Sequence, residues 1–390
     1  MTHLELERTF HPVGQGAFFT ECFESDRGDT FNVVYDCGTN SPKKILENAV
    51  LQAFAQGVPV DVVFVSHLDK DHINGIKYLA DNKNLTPRTL FVMPLFSKEV
   101  YILSYLKYGA SFIQMFRAIS QMGCYVLFVK PAKIEEGRQD VASIDLRENT
   151  LREDSQTIMS ISGIPIKGTV VQSGTKLALL DIWEYVPFNP SGADADLFQK
   201  ELAQQRIQID LVLNALGRTR PTDADKIELE KIKKIYGKVI SRIRKDTNKL
   251  NISSLVLLSH KASDAIEVNT CYWCRPYYHY WNCTKSACLY TGDSDLSTAS
   301  TYRQLMNDVM QYQRGESLQF LQIPHHGSKN NYCLALCRGF SYDVAFTNYG
   351  VNYHQKIFDS QLIMEYLKQG RPLVLITEYP QTRVKIRYRI

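Results

Sequence analysis

The stretch His67-Leu-Asp-Lys-Asp-His72 sets two imidazoles and two carboxylates side by side, directly after the apolar run Val62-Val-Phe-Val65. Burying acids and imidazoles is unfavourable unless something pairs with them, and a divalent cation pairs with both. Where a strand ends and the backbone curls, His67, Asp69, Asp71 and His72 can converge on one pocket. Further donors stand at similar places downstream. Asp293 follows a glycine in Tyr-Thr-Gly-Asp, and His325 and His326 follow Ile-Pro in Pro-His-His-Gly-Ser. Nitrogen and oxygen donors distributed this way suit Zn²⁺, Mn²⁺ or Fe, not a soft thiolate site.

The order H-x-D-x-D-H, then G-D, then P-H-H-G-S resembles the metallo-β-lactamase fold superfamily. Within it the likeness is closest to the nuclease-type hydrolase domain of the DNA-uptake protein ComEC. Val13–Phe19 resembles that branch's first strand entry, Tyr35–Gly38 its first acidic turn, Asn251–Leu258 its Asn-x-x-Ser strand, and Thr347–Gln355 its late segment with Asn and His. The likeness covers most of the chain except roughly 130–165 and 190–248.

What the resemblance implies is an αββα sandwich holding two adjacent divalent metal ions, Zn²⁺ or Mn²⁺. His67 and Asp69 would hold one ion, Asp71, His72 and His325 the other, and Asp293 would bridge them. Asp36 would orient a ligand histidine. A hydroxide bridging the two cations would be the nucleophile. His326, Ser328 and Lys329 could contact a phosphate, and His354 could protonate the leaving oxygen; for His326 and His354 the alternative is a hydrogen-bonded structural histidine. Asp71, His326 and His354 are thus the expected catalytic set. Two positions depart from the superfamily's commonest pattern. Asp69 stands where many members have histidine, and the Asn251/Ser254 strand replaces a third-motif histidine. The first ion should therefore bind more weakly and favour Mn²⁺ over Zn²⁺.

The elements that must position these residues alternate. Short strands are expected at 16–24, 31–38, 60–66, 89–94 and 124–129, with helices at 41–57, 73–82 and 98–122 between them. This alternation favours an α/β architecture with outer helices. The polar stretch 133–157 reads as surface loop. In the segment 190–248, Ile227, Ile232, Ile235, Val239, Ile240 and Ile243 share one helical face, opposite Lys231, Lys234, Lys238, Arg242 and Lys245. This insertion is either a solvated amphipathic helix or a docking surface for nucleic acid or a protein partner. The final strand should bury Val384, Ile386, Tyr388 and Ile390 and expose the alternate Arg383, Lys385, Arg387 and Arg389. No flexible linker divides the chain, so 1–390 reads as one elaborated domain.

Cys271, Cys274, Cys283 and Cys288 follow a C-x2-C-x8-C-x4-C pattern, which reads as a structural Zn²⁺ knuckle spanning 271–288 on a hairpin. Its aromatic and basic neighbours could stack nucleobases or pack round the metal. The net charge of +4 over 390 residues implies no general affinity for polyanions. No secretory signal is visible in the opening residues MTHLELERTF and no apolar run nears the ~18 residues that span a bilayer, so a cytoplasmic protein with reduced cysteines is expected, and no membrane partner.

The expected function is dinuclear-metal-dependent hydrolysis of phosphodiesters in DNA or RNA, in DNA processing or antiviral defence against phage. The alternatives are a small-molecule hydrolase acting on a cyclic nucleotide, ester or lactone, and a partner-binding subunit of a larger complex.

Overall fold

A computed structural model describes residues 4–132, 143–147, 157–161, 163–190, 204, 222–223, 227, 230–232, 234–235, 254–274, 285–297, 299–312, 318–328, 331–332, 341–352 and 360–390. In chain order the strands are β1 (Leu4–Phe10), β2 (Phe18–Ser25), β3 (Thr30–Cys37), β4 (Val62–Phe64), β5 (Leu90–Pro94), β6 (Tyr125–Val129), β7 (Ser143–Asp145), β8 (Thr157–Ile161) and β9 (Ile164–Val171). They continue as β10 (Lys176–Leu179), β11 (Trp183–Phe188), β12 (Val256–Lys261), β13 (Asn269–Cys274), β14 (Cys288–Tyr290), β15 (Leu318–Gln322), β16 (Tyr342–Asn348), β17 (Leu373–Ile376) and β18 (Val384–Arg389). The helices are α1 (Lys43–Ala53), α2 (Lys70–Ile73), α3 (Ile76–Asp81), α4 (Lys98–Tyr108), α5 (Ala110–Gln121), α6 (Ala299–Met310) and α7 (Ser360–Lys368).

Two sheets face each other. One runs β13-β18-β1-β2-β3-β4-β5-β6-β9-β8 and the other β17-β16-β15-β14-β12-β11-β10-β7. Helices α1 to α5 cover the outer face of the first sheet, while α6 and α7 cover the second. The layers are therefore αββα, the metallo-β-lactamase sandwich expected from the motif order.

The apolar run before His67 follows from this layering. Val62 and Phe64 enter the core between the sheets, while Val63 and Val65 enter the core beneath the helices. A strand buried on both faces needs no polar alternation. β18 shows the opposite case, with Val384, Ile386 and Tyr388 buried and Arg387 and Arg389 exposed; Ile390, just beyond it, is only partly buried.

Four sequence expectations are corrected. The helix expected over 98–122 breaks at Gly109, whose φ of 37° lies in the left-handed region that favours glycine. Within the stretch read as loop, Ser143–Asp145 pairs in parallel with β10 at the sheet edge. Ile232 and Ile235 are buried against the first helical layer, but Ile227 is 60% exposed, so it does not belong to that face. The segment after β12 is no simple hairpin, since β13 crosses to pair with β18 in the first sheet while β14 returns to the second. Most of the insertion at 190–248 lies outside the described residues.

One charged pair lies inside the core between the sheets. Arg8 Nε donates to Glu21 Oε1 at 2.7 Å, Tyr185 and Tyr290 hydroxyls donate to the same carboxylate, and Arg8 Nη1 donates to the Ser286 carbonyl.

Candidate metal centre

Three chain segments meet at one rim of the sandwich: the loop after β4 with His67, Asp69, Asp71 and His72; the turn after β14 with Asp293; and the turn after β15 with His325 and His326. In open α/β sheets ligands gather outside the carboxyl ends of strands, and all three segments leave such ends. The loop after β4 is seated tightly. Ala17 N–H donates to the Asp71 carbonyl at 3.1 Å, and a Cβ on Gly38 would lie 2.3 Å from the Asp71 carbonyl carbon. Only glycine fits there.

Asp293 sits in the middle. Its Oδ2 lies 3.5 Å from His67 Nε2 and 3.6 Å from His325 Nε2, while its Oδ1 lies 3.3 Å from His72 Nε2. His326 Nε2 lies 3.5 Å from Asp71 Oδ2, and Asp69 Oδ2 lies 3.9 Å from His67 Nε2. Two donor groups emerge among the described residues, His67, His72 and Asp293 in one and Asp71, His72 and His326 in the other.

This grouping differs from the expectation for the histidine pair. His325 faces the oxygen of Asp293 that also faces His67, whereas His326 stands beside Asp71. Both take left-handed backbone conformations, φ 48° and 54°, which cost of order 1–3 kcal/mol each in non-glycine residues. The tight turn they form sends consecutive rings to different sides of the pocket. His325 is the more open, with its side chain 24% exposed against 5% for His326.

The hydrogen bonds behind the rings fix how each presents itself. The Asp36 carboxylate accepts the Ser66 N–H and hydroxyl and the His72 Nδ1–H, at 2.7, 2.6 and 2.8 Å. Because the Ser66 proton is committed to Asp36, its oxygen is left to accept the His67 Nδ1–H at 2.9 Å. His325 Nδ1 donates to Asn331 Oδ1 at 2.6 Å, and His326 Nδ1 donates to the Asn348 carbonyl at 3.1 Å. Ser254 Oγ accepts the Asp293 N–H at 3.0 Å. Every ring thus has its Nδ1 tied, and the Nε2 atoms of His67, His72 and His326 are buried with no hydrogen-bond partner.

An orphaned buried imidazole nitrogen is costly, and three beside two carboxylates match what a divalent cation needs. The donors present therefore fit metal ions. The carboxylates also make the pocket attract positive charge. Burial opposes charge on His72, yet Asp293 and Asp36 push its pKa well above the usual value. Burial likewise opposes ionisation of Asp71, but His326, 3.5 Å away, and the charge on His72 hold its pKa down to about 2.

Sequence reasoning overlooked Ser66, Asn331 and Tyr108, whose hydroxyl donates to Asp69 Oδ2. Ser66 adjoins His67, but nothing in the types of Asn331 or Tyr108 sets them apart. His354, Lys329 and Asn251 lie outside the described residues. Of the four clustered cysteines, Cys283 also lies outside, Cys271 and Cys274 stand on β13, and Cys288 is a free thiol buried between the sheets. Chiefly through burial, its pKa is pushed up to about 12.

A family model described as the metallo-beta-lactamase superfamily matches residues 26–89, the segment bearing His67, Asp69, Asp71 and His72. A crystal structure of a long-form RNase Z from yeast aligns over 96% of this chain at 10% identity and a TM-score of 0.35. The chain covers 45% of that protein's length. No curated protein matches the chain. No described helix is long and apolar enough to cross a membrane. With two facing sheets and outer helices the chain has the metallo-beta-lactamase fold, and the matched 26–89 segment is similar to that superfamily.

Proposed function

We propose that this chain is a metal-dependent hydrolase that cleaves phosphodiester bonds in DNA or RNA through a two-ion centre. The observation that carries the proposal is the set of three buried Nε2 atoms of His67, His72 and His326 that make no hydrogen bond and stand around Asp71 and Asp293. His67, Asp69 and His325 would hold one ion and Asp71, His72 and His326 the other, with Asp293 between them. When bound, such a pair supplies Lewis acidity and lowers the pKa of water near neutral pH.

The protein's own part is orientation. Asp36 and Ser66 keep the Nδ1 protons of His72 and His67 in place, so that their Nε2 lone pairs face the pocket. Asn331 ties His325 to the Asp293 backbone by accepting from the ring and donating to the Asp293 carbonyl. His354 is assigned protonation of the leaving oxygen and Lys329 a phosphate contact, both from the motif order. The ComEC-type resemblance is the reason for preferring a nucleic acid as substrate, and with it a role in DNA processing or phage defence. From cysteine spacing we further propose a structural zinc on Cys271, Cys274, Cys283 and Cys288; metal analysis after mild chelation expects one retained zinc that Cys271→Ser removes.

Incubation with Mn²⁺ and labelled single- and double-stranded DNA and RNA tests the main proposal. Cleavage that chelation stops and Asp71→Ala or His72→Ala abolishes is the expected result. Turnover of cyclic dinucleotides or esters without polymer cleavage would replace the nucleic-acid reading. No turnover, with stable co-purification of another protein, would replace the enzyme reading.

A further inference from the structure

Asp69 differs from the other site residues in how it is held. It stands just before α2 with φ −71° and ψ 147°, the position of a helix cap, but its carboxylate bonds none of the N–H groups of that turn. The carboxylate instead faces the pocket, with Oδ2 3.9 Å from His67 Nε2. That same oxygen receives the hydroxyl of Tyr108, the last residue of α4. The left-handed Gly109 then turns the chain into α5, which packs against α2 and α3. The helical corner therefore delivers a phenol to a residue of the site from a different part of the chain.

We propose that Tyr108 is a positioning residue that sets the orientation of Asp69 toward the ion it shares with His67. This rests on the two-ion reading and deepens it. An imidazole can be aimed by a hydrogen bond at its second nitrogen, as four rings in this site are. A carboxylate turns about its own axis and is aimed in the same way by a donor on one of its oxygens. The Tyr108 hydroxyl on one oxygen supplies such a constraint and leaves the other oxygen and the remaining lone pairs for an ion. The phenol also draws charge from the carboxylate, so the ion held there is the weaker of the two.

Calorimetric titration of chelated protein with Mn²⁺ tests this. Wild type is expected to take up two ions of unequal affinity. Tyr108→Phe, which keeps the ring, should weaken only the weaker ion, by about 10-fold or more, as loss of a partner behind a ligand does. The thermal midpoint of the ion-free protein should not move. In an Asp69→Asn background, Tyr108→Phe should add no further loss. Two wild-type ions with Tyr108→Phe constants within twofold, or both constants falling together, would overturn the role of Tyr108 and leave the two-ion reading standing. A wild type that binds no Mn²⁺ would overturn both.

Discussion

The Asp36 carboxylate holds His72 Nδ1 at 2.8 Å, and both side chains are wholly shut away from solvent. Asp36, one residue before the end of β3, takes a left-handed conformation, φ 53°, and its two oxygens are shared between Ser66 and His72. One residue thereby sets two rings, His72 directly and His67 through Ser66. Asp36→Asn puts an amide N–H where a proton acceptor stood, or flips to offer a single oxygen. Metal affinity should fall about 10- to 100-fold, with far-UV circular dichroism unchanged. Mn²⁺ titration measures it, and an affinity equal to wild type would remove Asp36 from the account.

Gly38 tests how tightly the ligand loop is seated. An alanine methyl would come 2.5 Å from both the Asp71 oxygen and the His72 nitrogen, and backbone atoms there can yield only by moving the loop. Gly38→Ala should cost about 1–3 kcal/mol of stability and, beyond that, abolish retention of Mn²⁺ through gel filtration. A variant that keeps its metal would show that the loop has slack.

Arg8 and Glu21 make a different prediction, about folding alone. Removing one member of a fully buried pair leaves a charge with no counterpart and costs about 3–5 kcal/mol. Arg8→Met should therefore destabilise by that amount in urea unfolding. Arg8→Met with Glu21→Gln should lose less than the sum of the two single changes. Additive losses would mean that the pair is not coupled.

His11 provides a pH dependence away from the metal ligands. Burial first, then the charges of Arg383 and Lys385, push its pKa well below the usual value, while Thr20 Oγ1 lies 2.9 Å from its Nε2. Below about 6.5 the unfolded chain takes up a proton that the folded protein refuses. Stability from this group is therefore complete above that pH and is lost as the pH falls, by at most about 1.4 kcal/mol per pH unit. Urea unfolding at several pH values should show a flatter acid-side decline for His11→Gln than for wild type. Parallel curves would contradict the assignment.

The layered fold was legible wherever burial imposed a pattern. The doubly buried Val62–Val65 run and the alternating β18 announced themselves, and so did the ligand loop, because acids and imidazoles are rarely crowded without cause. β1 stayed hidden because Arg8 occupies an inward position in its alternation, and only the fold brings Glu21 opposite to neutralise it. Which way His325 and His326 turn depends on backbone angles that residue type does not reveal. Tyr108 reaches Asp69, and Asn331 reaches His325, by packing of elements whose sequence carries no mark of it.

The central claim is that three separated segments hold two ions around Asp293, and anomalous scattering from crystals grown with Mn²⁺ tests it most directly. Two peaks about 3.5–4 Å apart are predicted, one beside His67 and Asp69, the other beside Asp71, His72 and His326. Maps without a peak between these residues, or with manganese bound only elsewhere, would contradict it.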